Sequence, residues 1–520
     1  MTHATTDSGG RRWWLVAAGI GALVVGAQIM TWPSPDVAWN LYAGREVLHG
    51  ARVGVDILEN SPPMIFWLEW PALLLSVGAG LSPWGAWVLW LTACSALAAA
   101  MAGPLLPAAI SSRIRQLAGP VILVLLLLVP GGDFGQREHL TMVLVFPAVL
   151  LAARRTTGDL VAWPIAVVAG ILAGFSISIK PHFILVWFGM VGLASWRRGL
   201  RGLWLPEHVA VVSVGVCYLT AMVVCAPGYF EYVATYGPLY QRFLPVRPWE
   251  LFVIGEGAFP GVVAVGLWIP SRRDHDASER ALGDALATAC VCFYVVAVLQ
   301  AKGWRYQFLP SILTAAALLV MVSLTPSAPR GWLQRGYRLA GVLTLVLLVS
   351  AGGEDTFRRL RRDPALARDP NMAVLLPVLS SVRPGEAVAV LSSNIFSSFP
   401  LVLESGRRWS FRFPSLWPLV ALYDEQIQRG GLVRFRSVEE RPPLERAFVA
   451  AVADDLLRTR PAVILAPRPD PELWGWGGAR RFDYLAFLRG EPRLGDAWLA
   501  GYRRDPDAGD YVVLRRADLQ

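Results

Sequence analysis

Lysine is nearly absent from this chain: among its 48 basic residues only Lys180 and Lys302 are lysines, and the rest are arginine. Charge of either sign is scarce, at 17% of residues against 54% hydrophobic, which excludes an ordinary soluble domain for most of the length. The five cysteines (Cys94, Cys217, Cys225, Cys290 and Cys292) all fall inside apolar runs, so neither a disulfide framework nor a paired-cysteine metal site is indicated. Histidine is rare as well, and His139 has no second histidine nearby at ligand spacing. The region after Gly353 contains no glycine-rich phosphate loop or nucleophile elbow. No internal repeat or long low-complexity linker stands out. The net charge of +9 does not point to nucleic acid, because the arginines sit in short clusters between apolar runs.

Those runs are the main content of the sequence. They have spanning length and recur from residue 13 to residue 352, the pattern of an α-helical polytopic membrane protein. The first, Trp13 to Trp32 behind Arg11 and Arg12, is followed by no small-residue cleavage pattern and is read as an uncleaved helix. The clusters Arg11/Arg12, Arg113/Arg115, Arg154/Arg155, Arg197/Arg198/Arg201, Arg272/Arg273/Arg280 and Arg330/Arg335/Arg338 separate alternate runs and are expected to face the cytoplasm. Spans are expected at 13–32, 83–109, 117–131, 139–153, 160–179, 182–196, 207–227, 251–270, 282–300, 306–325 and 338–352, about eleven transmembrane helices by length. Pro62 to Gly80 is left out: it carries Glu69 and three prolines, and counting it would move every later arginine cluster outside. It is expected to dip into the membrane or lie on it.

This topology places residues 33–82, Gly131 to Glu138, the turn around Lys180, 228–250, Ala301 to Arg305 and everything from about 353 on the outer face. Two domains are expected, a transmembrane part at 1–352 and an extracytoplasmic α/β domain at 353–520. In the latter, Glu386 to Ser393, Pro461 to Pro467 and Tyr511 to Arg516 read as strands, with helices near 371–382, 415–429 and 443–458. Its aromatic-rich stretches, Arg407 to Trp417 and Trp474 to Trp476, are expected to pack within the fold.

Candidate functional residues gather in the outer turns. Ser34-Pro35-Asp36 opens a helix in which Val37, Leu41 and Leu48 share one face and Asp36 and Asn40 another, as in a helix lying along the membrane with its acid toward a cavity. Asp36 is a candidate catalytic base or, equally, a carboxylate complementing the helix dipole. Asp56 and Glu59 in the same loop are candidate substrate contacts. The turn Gly131 to His139 holds Asp133 and Glu138 as candidate catalytic acids and Arg137 as a phosphate ligand; the alternatives are an Arg137–Glu138 pair and a helix cap by Asp133. Both lysines lie where the positive-inside rule does not put them. Lys180, beside His182, and Lys302, beside Arg305, Tyr306 and Gln307, suit a phosphate whose lipid tail lies in the bilayer, or else snorkel to headgroups.

The order of these features resembles the GT-C superfamily of polyprenyl-phosphate-dependent glycosyltransferases, in the branch of bacterial protein mannosyltransferase-like enzymes and lipid A aminoarabinose transferases. The residues that carry the resemblance are Asp36, Ser61-Pro62-Pro63-Met64-Ile65-Phe66-Trp67, Ile179-Lys180-Pro181-His182 and Arg305-Tyr306-Gln307-Phe308-Leu309-Pro310. They cover the membrane part, and each motif alone is short. The first-loop acid is single, and Lys180 is followed directly by proline, both departures from the family pattern. The resemblance implies an inverting transfer from a polyprenyl-phosphate sugar to an acceptor hydroxyl on a glycan, lipid or protein, at the outer face of a bacterial cytoplasmic (inner) membrane. Asp36 would be the base, and Lys180, Lys302, Arg305 and Arg137 would hold the donor phosphate. Asp56, Glu59, His182, Tyr306 and Gln307 would contact substrate. No cofactor is required by this reading, and a divalent metal ion is left open. The alternatives are a polymerase or ligase of lipid-linked glycans and, from another class, a transporter or flippase, which should show broken helices and charges at the bilayer midplane.

Overall fold

The computed structural model describes residues 7–196, 198–324, 332–361, 372–472 and 476–518; Arg197, Arg330 and Trp474 lie outside them. The chain forms two compact units. Many helices start on a proline, as in Pro35–Leu48, Pro83–Ala100, Pro206–Cys225 and Pro227–Arg242, because a first-turn residue has no use for the missing N–H. At Pro83–Ala100 the Ser82 hydroxyl also accepts the Gly85 N–H at 3.0 Å, satisfying one of the free first-turn donors.

The first unit comprises Met1–Thr31, Pro71–Ala221 and Val246–Arg361 and is a helical membrane bundle. Each expected span overlaps a helix, the one at 83–109 ending at Ala100: Asp7–Ile29, Pro83–Ala100, Ser112–Leu128, Arg137–Thr156, Trp163–Ile179, Ile184–Ser195, Pro206–Cys225, Ala258–Ser271, Ala277–Leu299, Arg305–Leu324 and Trp332–Arg361. Six of the described helices are long and apolar enough to cross a membrane on their own composition. Arg137–Thr156 is almost wholly buried, whereas Pro206–Cys225 exposes Val212, Val216, Leu219, Val223 and Val224, the last at 72%. A face of that kind is unfavourable in water and suited to lipid. At the end of the bundle away from the candidate turns, Arg155 and Glu207 form a buried two-pronged ion pair at 2.7 and 3.0 Å, joining Arg137–Thr156 to Pro206–Cys225. The run expected at 251–270 is broken: Pro248–Ile254 ends at Gly255, and a new helix begins at Ala258. The last span is also longer than expected and carries Glu354 and Asp355 as helical residues of this unit.

The second unit takes in Trp32–Trp70 and Met222–Pro245 together with Arg362–Gln520. Its sheet has the order β2-β1-β3-β5-β4, with β1 Ala387–Val390, β2 Arg408–Trp409, β3 Val463–Pro467, β4 Tyr502–Ala508 and β5 Tyr511–Arg516. β1 pairs in parallel with β2 and β3, and β5 is antiparallel to β3 and β4. The expected strands are β1, β3 and β5. β4 (Tyr-Arg-Arg-Asp-Pro-Asp-Ala) reads as a loop in sequence because it is an edge strand, where charge and proline are tolerated. The two loop segments join this domain through aromatic side chains and backbone. The Trp409 N–H donates to the Tyr42 hydroxyl at 2.8 Å, and Leu58 N–H to the Arg412 carbonyl at 2.8 Å. Phe399 packs on Trp39, and Phe413 on Tyr236. Gly54, with φ of +85°, lies so close to Gly228 that a Cβ there would meet its carbonyl carbon at 2.1 Å. The aromatic stretch before Trp417 thus packs within the fold, as expected.

Pro62 to Gly80 forms one helix, Met64–Ala79, with Pro71 inside it. Glu69 is only 1% exposed, so its carboxyl faces protein and not lipid.

Candidate functional site

Three of the expected outer turns meet at one end of the bundle. In the first, Gly131 has a φ of +52°, a conformation that favours glycine. The Gln28 amide donates to its carbonyl at 2.9 Å, and Asp355 accepts the Gly132 N–H. The chain then enters Arg137–Thr156, whose first turn carries Glu138 inward at 0% exposure. In the second, Lys180 follows Trp163–Ile179 in an extended conformation (φ −144°, ψ 112°), which the next residue, Pro181, favours. In the third, Gln300 ends Ala277–Leu299, and Tyr306 and Gln307 open Arg305–Leu324.

The side chains connect these turns. Lys180 Nζ donates to Glu138 Oε1, and to Gln300 Oε1 at 3.0 Å. Gln300 Oε1 also accepts from Gln307 Nε2 at 3.1 Å. The Tyr306 ring stands 5.8 Å from the ammonium, centroid to nitrogen. Lys180 is therefore buried in a network and does not snorkel. Glu138 pairs with Lys180, which answers the alternative of an Arg137–Glu138 pair.

Beside this network Arg305 lies among three carboxylates, Glu256 at 3.4 Å, Asp133 at 3.7 Å and Asp355 at 3.9 Å. They line an open cavity of about 390 Å³ whose walls include Glu354, Leu309 and Ile312. One cation among four carboxylates leaves the cavity negative, so a phosphate reaching Arg305 competes with carboxylates for it. Arg137 is buried on the first turn of its helix, His182 is exposed in the turn Pro181–Phe183, and Lys302 is buried in the turn before Arg305. Burial lowers the Lys302 ammonium to a pKa of about 8. His139 is packed against Phe134, and its Nδ1 accepts the Gly135 N–H at 3.1 Å. Among the described residues no three of His, Cys, Asp and Glu stand together as metal ligands.

The remaining candidates belong to the second unit. Asp36 is half-buried in the first turn of Pro35–Leu48. That helix differs from expectation in two ways. Ser34 occupies the cap position without a side-chain cap bond. Both of its faces are also buried, Asn40 included, because Trp39 and Tyr42 reach the aromatic cluster of the C-terminal region. It is a packed helix. Glu59 accepts the Trp39 indole N–H at 2.8 Å and both Ser61 donors, at 2.9 and 3.0 Å, bracing the loop. Asp56 closes its own turn by accepting the Arg52 N–H at 2.9 Å and guanidinium at 3.2 Å.

The structure thus joins Glu138, Lys180, Tyr306 and Gln307, and separately Asp133 and Arg305. Gln300, Glu256, Glu354 and Asp355 escaped the sequence reading. A signal existed for Glu256, an acid flanked by glycines inside an apolar run.

By fold the chain resembles GT-C membrane proteins. It is similar along 98% of its length to ArnT from Cupriavidus metallidurans bound to undecaprenyl phosphate, covering 98% of that chain with a TM-score of 0.57 and 15% identity. A second similar structure is the oligosaccharyltransferase AglB from Archaeoglobus fulgidus in complex with an inhibitory peptide and a dolichol-phosphate, at TM-score 0.42 and 11% identity over 98% of this chain and 74% of that one. Comparison by sequence matches no family model and no curated protein.

The Lys180 network generates a stability prediction. Lys180→Met strands Glu138 as a buried charge and should cost roughly 3–5 kcal/mol, read as a lowered unfolding midpoint of the purified protein in detergent. The double variant Lys180→Met/Glu138→Leu should recover much of that loss. A single variant as stable as the parent would mean that the pair contributes nothing.

Proposed function

We propose that this protein is a membrane glycosyltransferase that moves a sugar from a polyprenyl-phosphate donor to an acceptor hydroxyl. The observation that carries the reading is the polar network at one end of an apolar bundle, built from the same turns that hold the motif residues Lys180 and Arg305-Tyr306-Gln307. The fold of ArnT, a protein seen with undecaprenyl phosphate, supports a lipid-phosphate donor. A midplane charge pattern would favour a transporter; the polar residues here gather at helix ends instead.

Asp36 acts as general base, taking the acceptor's O–H proton as that oxygen bonds to the anomeric carbon. The bond from that carbon to the phosphate oxygen breaks, and polyprenyl phosphate leaves with the electron pair, inverting the centre. Lys302 and Arg137 stabilise the departing charge, together with Lys180 and Arg305 as their carboxylates yield. Asp133 and Glu138 orient the substrate, with Asp56, Glu59 and His182 as further contacts. Asp36→Asn should retain the fold and donor binding and lose transfer by about 10²–10⁴-fold. Near-normal turnover of the purified variant would remove Asp36 from the reaction.

Lys302 gives the donor site a pH dependence. It is charged at neutral pH and loses its proton as pH rises through about 8. Affinity for undecaprenyl phosphate should therefore fall over that interval, and Lys302→Arg, charged throughout, should abolish the fall. A wild-type affinity that stays level through pH 8 would take Lys302 off the phosphate.

The sidedness proposed is outward for the second unit. Its three segments form one body, so an even number of crossings must separate them. Six of the expected spans lie between the first two segments and four between the last two, provided Met64–Ala79 does not cross. In a cysteine-free background, single cysteines at the exposed positions Glu231 and Glu439 should react with an impermeant thiol reagent in intact cells, and those at Ser112 and Asp274 only after lysis. Labelling at Glu231 without Glu439 would overturn this topology.

A further inference from the structure

The hydrogen bonds around Lys180 determine what kind of group the network still lacks. A lysine ammonium donates only, so Gln300 must turn its carbonyl toward Lys180, and its own amide donates to the Val296 carbonyl at 3.3 Å. That same carbonyl accepts from Gln307, which must therefore present its NH₂. The Gln307 carbonyl is left pointing elsewhere, and among the described residues it is buried with no hydrogen-bond partner. Glu138 is in the same position: Oε1 is taken by Lys180, while Oε2 is buried and unpartnered.

Both open positions are acceptors on side chains that are at least nine-tenths buried. A phosphodiester, which offers only acceptors, cannot satisfy them. A hydroxyl or an ammonium can. The neighbouring cavity has the same bias, with carboxylates from Asp133, Glu256 and Asp355 around a single guanidinium. We propose that Glu138 and Gln307 are specificity-determining residues that accept hydrogen bonds from a hydroxyl or ammonium on the sugar of the lipid-linked donor. This rests on the transferase reading above, and it separates a sugar-reading pair from the phosphate-binding cations.

Two variants test it. Gln307→Leu removes one acceptor at nearly constant volume. Glu138→Gln keeps an oxygen for Lys180 but puts an NH₂ where Oε2 stood, replacing an acceptor by a donor. Affinity is measured on the full-length purified protein in detergent for bare undecaprenyl phosphate, for its glucosyl ester, and for an ester of an amino sugar. The wild type should hold the glycosylated probes more tightly than the bare lipid. Gln307→Leu should lose about tenfold for a glycosylated probe, the scale of one hydrogen bond to a buried partner, with little change for the bare lipid; Glu138→Gln, which also frees the Lys180 ammonium from its counter-charge, should lose a similar factor for the glycosylated probe relative to the bare lipid. A preference for the amino-sugar ester that disappears in Glu138→Gln assigns an ammonium; equal binding of the two esters assigns a hydroxyl. If Glu138→Gln does not fold, Gln307→Leu decides alone. Equal loss for bare and glycosylated lipid, or no loss for either, overturns the proposal and leaves a bridging water as the occupant. A wild type with no affinity for any of the lipids removes the transferase reading, and this proposal with it.

Discussion

The bundle's polar end depends on one buried contact, the ammonium of Lys180 against the carboxylate of Glu138. Either charge alone in an apolar bundle would be strongly unfavourable, and even as a pair they gain stability from each further polar partner they find. Gln300 supplies that second partner and passes the constraint on to Gln307. Four helices, Arg137–Thr156, Trp163–Ile179, Ala277–Leu299 and Arg305–Leu324, are thereby held in register at their ends. The arrangement is specific because each member permits only one role for the next: a lysine that cannot accept orients one amide, and that amide orients the other.

How much of this was legible in the sequence depended on whether a residue broke a rule by itself. The spans were readable because apolar length and arginine placement repeat along the chain and reinforce each other. Lys180 and Lys302 were conspicuous as cations on the face where cations are scarce. Glu138 and Asp133 were visible because acids that close to a span need a reason. Gln300 was not, since a single amide at the end of an apolar run carries no pattern. Asp355 is hidden because the last helix continues beyond its apolar stretch. The packing of the helix after Ser34 is hidden from the sequence for a different reason. Its periodicity showed one apolar face, but Trp39 and Tyr42 pack on residues hundreds of positions away, and no local window contains that information.

The construction of the second unit has a consequence for how the protein is made. The Tyr42 hydroxyl and its donor, the Trp409 N–H, are 367 residues apart in sequence, with all of the helical bundle but its first helix encoded between them. At ordinary rates of synthesis that separation corresponds to roughly 20–70 s. Throughout that interval the early helix has its aromatic side chains without the surface they pack on. The chain therefore carries an adhesive segment through most of its biosynthesis, and its yield in a cell depends on what shields that segment until the last domain emerges.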